Sequence, residues 1–244
     1  MSESHAKGLS HRPLKRLLVA FVSLDSFGSV MVLILVTYAL SVSVDAAWGQ
    51  SLVLVLQIAT VWLALRIAQA RRGVVLGASI ALAFAGVIAA LNVVGVGETD
   101  LAAPVFLVSA LLYFIAPISI LRALISKSQV DQETVLGAID AYLMVGMFFA
   151  YTYMALGAIH SPFFENGGQT TVAQALFFSF TTLTTTGYGN LVPAGNPGQS
   201  FAVLEMLIGQ LFLVTAVAKV INAWRPARWK AEQPEDDAAS EAPK

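Results

Sequence analysis

The sequence contains no cysteine, few charges and only three histidines. The absence of cysteine excludes disulfides, thiolate chemistry and cysteine-bound metals, and scattered histidines form no metal-ligand pattern. Charged residues occupy 12% of the 244 positions, whereas 57% are hydrophobic, and the net charge of −1 gives no basis for nucleic-acid binding. A soluble domain of this size would need a more polar surface. The composition therefore predicts a membrane protein.

The charges occur in clumps, and the uncharged runs between them are about 20 residues long, enough to cross a hydrocarbon core of ~30 Å. The pattern predicts an all-α membrane protein with six transmembrane helices. The predicted helices are Leu17–Leu40, Ser51–Ala68, Val74–Val96, Leu101–Ile125, Val135–Ile159 and Gln199–Ala223. The first is too long for the apolar core of a signal peptide, so we expect it to remain uncleaved.

Basic residues occupy alternate loops, which predicts the orientation because lysine and arginine are retained on the cytoplasmic side. They precede the first span, separate the second from the third and the fourth from the fifth, and follow the last. Residues 128–218 contain no lysine or arginine at all. Both termini are therefore predicted to be cytoplasmic, in the cell (plasma or inner) membrane, and the loop His160–Gly198 is predicted to face outward.

This outward loop contains a second apolar stretch, Thr171–Leu183, which predicts a short helix of 13 residues, or about 20 Å. Such a helix enters a membrane without crossing it. The residues that follow, TTTGYGN at 184–190, must return to the outer surface as non-helical backbone. Backbone of that kind is tolerated at membrane depth only inside protein or along a water-filled cavity. The segment is therefore predicted to line a pore.

The residue types in this segment favour a pore for a monovalent cation. Gly187 and Gly189 can adopt positive φ at little cost, so successive carbonyls can point the same way. A ring of carbonyl oxygens replaces the hydration shell of a cation, and the Thr185 hydroxyl would add another oxygen layer. The short helix directs the negative end of its dipole to the same place. The absence of a carboxylate ring argues against a divalent cation.

The stretch TTLTTTGYGNLVP at 181–193 resembles the selectivity filter of the tetrameric potassium channels, in which a threonine-rich turn precedes T-V-G-Y-G. The resemblance extends from about Val135 to Ala223 and implies a homotetramer of bacterial type, with six helices per subunit. It implies K+ coordination by Thr185, Thr186, Gly187 and Tyr188, with Gly189 completing the filter. It implies filter support by Phe177 and Phe178 and a gating hinge at Gly209. From their positions beside the filter, we also expect support from Thr181, Thr184, Asn190 and Glu205.

Two positions depart from the pattern of that family. Thr186 stands where the family has valine or isoleucine, and Asn190 stands where it usually has aspartate. We expect K+ to permeate ahead of Na+, with a non-selective monovalent cation channel on the same scaffold as the alternative. A transporter is less favoured, because transporters with filter-like loops carry four in one chain and this chain has one. No enzyme is expected, since no polar groups converge, and no cofactor beyond K+ as the permeant ligand.

Acidic residues within spans are functional candidates because a lone charge in a membrane is costly. Asp25 is one of them. Asp140 is expected to pair with Arg122 or Lys127. Glu205 is expected to accept hydrogen bonds from the short helix, and a role in support or in gating is left open.

The chain divides into four predicted regions. Residues 1–16 form a cytoplasmic N-terminus, and residues 17–128 form a four-helix membrane domain at the position of a voltage sensor. That domain lacks an arginine ladder, which predicts no steep voltage gating. Residues 129–224 form the pore domain, and residues 225–244 form a disordered cytoplasmic tail. The predicted partners are three further copies of the chain, membrane lipids and K+.

Overall fold

A computed structural model of the protein describes residues 26–43, 47–93, 102–125 and 131–223. These residues form seven α-helices and no β-strand. The helices are α1 (Phe27–Ser43), α2 (Ala47–Ile67), α3 (Arg72–Val93), α4 (Ala102–Ile125), α5 (Gln132–Ile159), α6 (Val172–Leu183) and α7 (Gly198–Ala223). The predictions for residues 1–16 and 225–244, and those for Asp25 and Lys127, lie outside the described residues.

The all-helical fold class is confirmed for the residues that the structure describes. Three helical segments among them are long and apolar enough to cross a membrane, namely Phe106–Ile125, Gln132–Ile159 and Gly198–Lys219. α1 and α6 are apolar but shorter. The protein is therefore a membrane protein, whereas the total of six spans remains a prediction.

Helices α1, α2, α4 and α5 pack around an apolar core. The rings of Tyr113 on α4 and Tyr151 on α5 stack with their centroids 5.6 Å apart. The Gln57 amide on α2 donates a hydrogen bond to the Tyr151 hydroxyl. Close packing and interhelical hydrogen bonds are the forces that join helices in lipid, where apolar burial gives little drive. These contacts fix the position of α5.

The second face of α5 packs against α6 and α7. A cluster of aromatic rings fills this interface, and its buried members are Phe149, Tyr153, Phe163, Phe164 and Phe178. At the start of α5, the Asp131 carboxylate accepts a hydrogen bond from the Thr134 amide at 2.8 Å and so caps the helix. Because α5 belongs to both packing units, it sets where α6 and α7 lie.

The structure contradicts one predicted ion pair. Both carboxylate oxygens of Asp140 are buried, and neither has a hydrogen-bond partner within the described part of the chain. Arg122, the predicted partner, is exposed on α4 and makes no ion pair with it. The predicted pairing of Asp140 with Arg122 is therefore wrong, because the Asp140 side chain is buried whereas the Arg122 side chain is exposed.

Candidate cation-binding site

Helix α6 leads into the site, and residues at its own ends determine where it starts and how long it is. Thr171 is the N-cap, and its hydroxyl accepts a hydrogen bond from the Gln174 amide at 3.2 Å. The Gln174 side chain in turn accepts one from the Thr171 amide at 3.1 Å, which completes a capping box. The helix has 12 residues and is about 18 Å long. The short helix predicted over Thr171–Leu183 is confirmed.

The segment after α6 runs from Thr184 to Asn190 and is called the carbonyl segment below. Its first amides all donate hydrogen bonds back to the last turn of α6. The pairs are Thr184 N to Phe180 O at 3.1 Å, Thr185 N to Thr182 O at 3.0 Å, Thr186 N to Thr181 O at 2.8 Å and Gly187 N to Thr181 O at 3.2 Å. The N–H groups are thus directed into the protein, where buried polar groups need partners.

The sign of the backbone angle φ alternates along this segment. Thr185, Gly187 and Gly189 have φ values of 57°, 55° and 79°, and the residues between them do not have positive φ. Positive φ costs glycine little, but it is a genuine outlier for a β-branched residue such as Thr185. Strain of this kind concentrates at functional sites. Alternation of hand lets successive carbonyls emerge on one side of the chain while the amides emerge on the other.

The carbonyl oxygens in the middle of the segment have no hydrogen-bond donor among the described residues. No hydrogen bond within the described part of the chain ends on the carbonyl oxygens of residues 185–188. Every residue from Thr184 to Asn190 is exposed in the single chain. Carbonyl oxygens in this arrangement suit a hard cation that sheds its water.

The two phenylalanines predicted to support this segment do different things. The ring of Phe177 stacks on the ring of Tyr188 at 5.6 Å and 23°, although Tyr188 is 70% exposed. Phe178 is buried and meets Tyr153 on α5 edge to face at 5.0 Å. Phe177 therefore contacts the carbonyl segment directly, whereas Phe178 anchors α6 to α5.

Threonine hydroxyls bind the segment to α6. The Thr184 hydroxyl donates to the Phe180 carbonyl at 2.7 Å and lies 2.9 Å from the Thr186 hydroxyl. Because Thr184 has already used its only proton, Thr186 is the donor in the second contact. The Thr181 hydroxyl donates to the Phe178 carbonyl at 3.0 Å. The Thr186 hydroxyl is thus held against its neighbour.

Gln210 on α7 is a site residue that the sequence did not reveal. Its side-chain amide donates a hydrogen bond to the Thr185 hydroxyl at 3.2 Å. That hydroxyl donates in turn to the Thr184 carbonyl at 2.7 Å. One lone pair of the Thr185 hydroxyl oxygen then remains for a cation. The sequence feature that could have pointed to Gln210 is its position as a polar residue in an apolar helix, next to Gly209.

Gly209 has a packing role in addition to the predicted hinge. A Cβ atom at this position would overlap the carbonyl oxygen of Leu183 and lie 3.0 Å from its Cδ1 atom. The glycine therefore allows α7 to approach the last residue of α6. Helix α7 continues from Gly198 to Ala223 without a break at this position.

Glu205 joins three helices behind the carbonyl segment. Its side chain is fully buried, and its Oε2 atom accepts a hydrogen bond from the Tyr153 hydroxyl on α5 at 2.6 Å. The Ser179 hydroxyl on α6 lies 2.5 Å from Oε1 of Glu205 and 2.7 Å from the Gly146 carbonyl. The sequence analysis predicted that Glu205 accepts hydrogen bonds from α6, whereas it did not identify Tyr153 and Ser179.

Backbone contacts fix the return of the chain beyond the carbonyl segment. The Glu165 amide donates to the Val192 carbonyl at 2.9 Å, and the Ala194 amide donates to the Phe163 carbonyl at 2.8 Å. Asn190, just before these contacts, is exposed, and its side chain makes no hydrogen bond within the described residues. The two ends of the segment are therefore held while its middle remains open.

Comparison with known proteins locates the resemblance in the same region. Residues 137–225 match the protein family described as "Ion channel". The chain is 35% identical over 79 residues to the inward rectifier potassium channel Kirbac3.1 of Paramagnetospirillum magnetotacticum, covering 32% of this chain and 25% of that protein. It is 44% identical over 52 residues to potassium channel subfamily K member 1 of Oryctolagus cuniculus, covering 20% of this chain and 16% of that protein.

The chain thus spans a quarter or less of the length of these relatives. The family match covers almost all of α5, the whole of α6 and α7, and the carbonyl segment. This part of the chain is similar to ion channels, and in particular to potassium channels.

Proposed function

We propose that four copies of this chain form a potassium-selective channel, in which K+ crosses the membrane passively through the backbone of Thr185–Gly189. The observation that carries the proposal is the alternating hand of this backbone, which leaves a row of carbonyl oxygens without hydrogen bonds among the described residues. Rings of such carbonyls replace the hydration shell of K+. The similarity of residues 137–225 to ion channels supports the proposal.

The geometry of one copy supports the proposed assembly. A single carbonyl segment presents oxygens on one side only, so a closed cage needs several copies around an axis. Only 11% of the apolar span of α7 is buried in the single chain. Its exposed side carries large apolar residues, among them Leu204, Leu207, Leu211 and Val214. Neighbouring copies would cover part of this surface.

In this assembly the chain divides into the predicted domains. Residues 129–224 form the pore, with its inner end on the cytoplasmic side, and residues 17–128 form a four-helix scaffold without a voltage-sensing ladder. Thr185, Thr186, Gly187 and Tyr188 coordinate K+, while Phe177 and the Thr184 hydroxyl hold the carbonyl segment against α6. The negative end of the α6 dipole points toward the ion path.

A non-selective monovalent cation channel is the second candidate. It is favoured by the hydrogen bond between the Thr186 and Thr184 hydroxyls, 2.9 Å long, which a valine at position 186 could not make. Asn190 also leaves the outer end of the segment without a charge. Either change alters how the segment is held without removing its carbonyls.

Reversal potentials of purified protein in a planar bilayer separate the two candidates. We expect the reversal potential to follow the K+ gradient when Na+ is the competing ion. A current that follows Na+ equally would support the non-selective channel, and the absence of any current would contradict both. Native mass spectrometry should show a tetramer, and a stable monomer or dimer would contradict the assembly.

A pair of glycine variants links the current to the carbonyl segment. Gly187 and Gly168 both have positive φ (55° and 84°) and open space around an added Cβ, so alanine brings a similar backbone strain at each position. We expect Gly187→Ala to abolish selective conduction and Gly168→Ala, in the outer loop, to leave it intact. Equal effects of the two variants would contradict the assigned path.

A further inference from the structure

Glu205 and its neighbours form three close oxygen–oxygen contacts. If Glu205 were ionised, too few protons would be present for three hydrogen bonds. Three oxygen–oxygen separations form a chain: Tyr153 to Glu205 at 2.6 Å, Glu205 to Ser179 at 2.5 Å, and Ser179 to the Gly146 carbonyl at 2.7 Å. The side chains of Glu205 and Ser179 are both fully buried. Each separation is a hydrogen-bond distance and needs one proton between its two oxygens.

A count of protons decides the form of Glu205. The Tyr153 hydroxyl brings one proton, the Ser179 hydroxyl brings one, and the Gly146 carbonyl brings none. An ionised carboxylate also brings none, so three contacts would have to share two protons. One of the two Ser179 contacts would then have no proton between its oxygens, and two acceptors would lie against each other. A protonated Glu205 supplies the third proton, so each of the three contacts becomes a hydrogen bond.

One proton divided between the two acceptors of Ser179 does not account for the distances. Both Ser179 contacts are at or below the ordinary O–H···O separation of about 2.7–2.8 Å. A proton shared between two acceptors gives longer contacts on both sides. The two short contacts therefore require two protons at Ser179, one donated and one accepted.

Among the residues that the structure describes, the side chain of Glu205 contacts two hydroxyls and no cationic group that could serve as a countercharge. The sequence has no lysine or arginine from residue 128 to residue 218. The same holds for every copy in a homotetramer, so the pore regions of neighbouring chains add no lysine or arginine. A buried carboxylate without a cationic partner is strongly disfavoured relative to its neutral form.

We infer that Glu205 is an uncharged carboxylic acid that donates a hydrogen bond to Ser179 and thereby fastens α6 to α5 and α7. The hydrogen bonds then run in one direction, from Tyr153 to Glu205, from Glu205 to Ser179, and from Ser179 to the Gly146 carbonyl. Glu205 is a positioning residue, because it acts on the carbonyl segment through α6. The inference deepens the proposed function, and only its link to conduction rests on that function.

Infrared spectroscopy of the full-length protein in lipid tests the protonation directly. A protonated carboxyl gives a C=O stretching band at higher frequency than the amide and carboxylate bands. We expect this band in the difference spectrum of wild type minus Glu205→Gln at neutral pH. The subtraction matters because Asp140 is a second buried carboxyl. Subtraction of Glu165→Gln, which removes an exposed carboxylate, serves as the control and should leave no such band.

The glutamine side chain in the Glu205→Gln variant can reproduce the network of a neutral acid, because its oxygen accepts from Tyr153 and its NH₂ group donates to Ser179. We therefore expect Glu205→Gln to keep the tetramer and to retain K+ current within about twofold of wild type. Tyr153→Phe supplies a second readout, since it removes the bond to Oε2. The carboxylic acid band should then shift to higher frequency.

Two results would overturn the inference. One is a wild-type minus Glu205→Gln spectrum with only a carboxylate band. The other is a Glu205→Gln protein that loses its tetramer while the Glu165→Gln control keeps it. The infrared band does not depend on ion flow. A protein that shows the band but conducts no K+ would therefore contradict the proposed function and leave the inference standing.

Discussion

Replacing Gly209 with alanine tests how α7 holds the end of α6. The added Cβ would overlap the Leu183 carbonyl oxygen and touch Leu183 Cδ1 at 3.0 Å. The obstructing oxygen belongs to the backbone, so a change of rotamer cannot relieve the overlap. Either α7 or the last turn of α6 has to move. The Leu183 carbonyl also accepts a hydrogen bond from the Tyr142 hydroxyl at 3.1 Å, which resists that movement.

Two opposing energies decide whether Gly209→Ala stabilises or destabilises the folded protein. Overpacking against a fixed atom costs about 3 kcal/mol, at the upper end of the usual range. Alanine in place of glycine inside a helix returns about 1 kcal/mol. The net destabilisation is about 2 kcal/mol. For a protein of this length it corresponds to a fall of about 4–8 °C in the midpoint of thermal unfolding.

The assay is thermal unfolding of the purified protein in detergent, followed by circular dichroism. Gly77→Ala is the matched control, because Gly77 also lies inside a helix and an added Cβ there meets nothing within 4 Å. We expect its melting temperature to equal or exceed that of wild type. If Gly209→Ala melts at or above Gly77→Ala, the packing explanation is wrong, and a gating change alone would favour the hinge.

Three further results are expected. Thr171→Ala should destabilise the protein by about 1 kcal/mol because α6 loses its capping box, as thermal unfolding would show, whereas Thr171→Ser should not. Gln210→Leu frees a lone pair of the Thr185 hydroxyl and should strengthen block by Ba²⁺ from the predicted cytoplasmic side about fivefold; unchanged block would contradict that contact. Open probability should vary only shallowly between roughly −100 and +100 mV, since Leu101–Leu121 carries no charge, and a steep conductance–voltage curve would refute this.

The backbone of the site was largely predictable from the sequence. The length of the apolar stretch before the carbonyl segment predicted a short helix, and Gly187 and Gly189 predicted positive φ, which both adopt. These features are local, since a capping threonine, an apolar run and glycine each act within a few residues. Thr185 also adopts positive φ, which its residue type does not suggest.

The contacts between helices were less predictable. Whether Asp140 meets Arg122, or Gln210 meets Thr185, depends on how each helix is rotated about its axis and how far it slides past its neighbour. Apolar runs that are hydrophobic on all sides do not specify that rotation. The sequence therefore suggested a partner for Asp140 that the structure does not contain, and it gave no indication of the contact made by Gln210.

K+ is proposed to bind to the backbone carbonyls that follow α6. Crystals of the protein grown with Rb+ or Tl+ in place of K+ test it most directly, because both ions resemble K+ in size and scatter anomalously. We expect a row of anomalous peaks on a fourfold axis, each surrounded by carbonyl oxygens from residues 185–188 of four copies. Peaks elsewhere, or carbonyl segments that do not converge on a common axis, would contradict it.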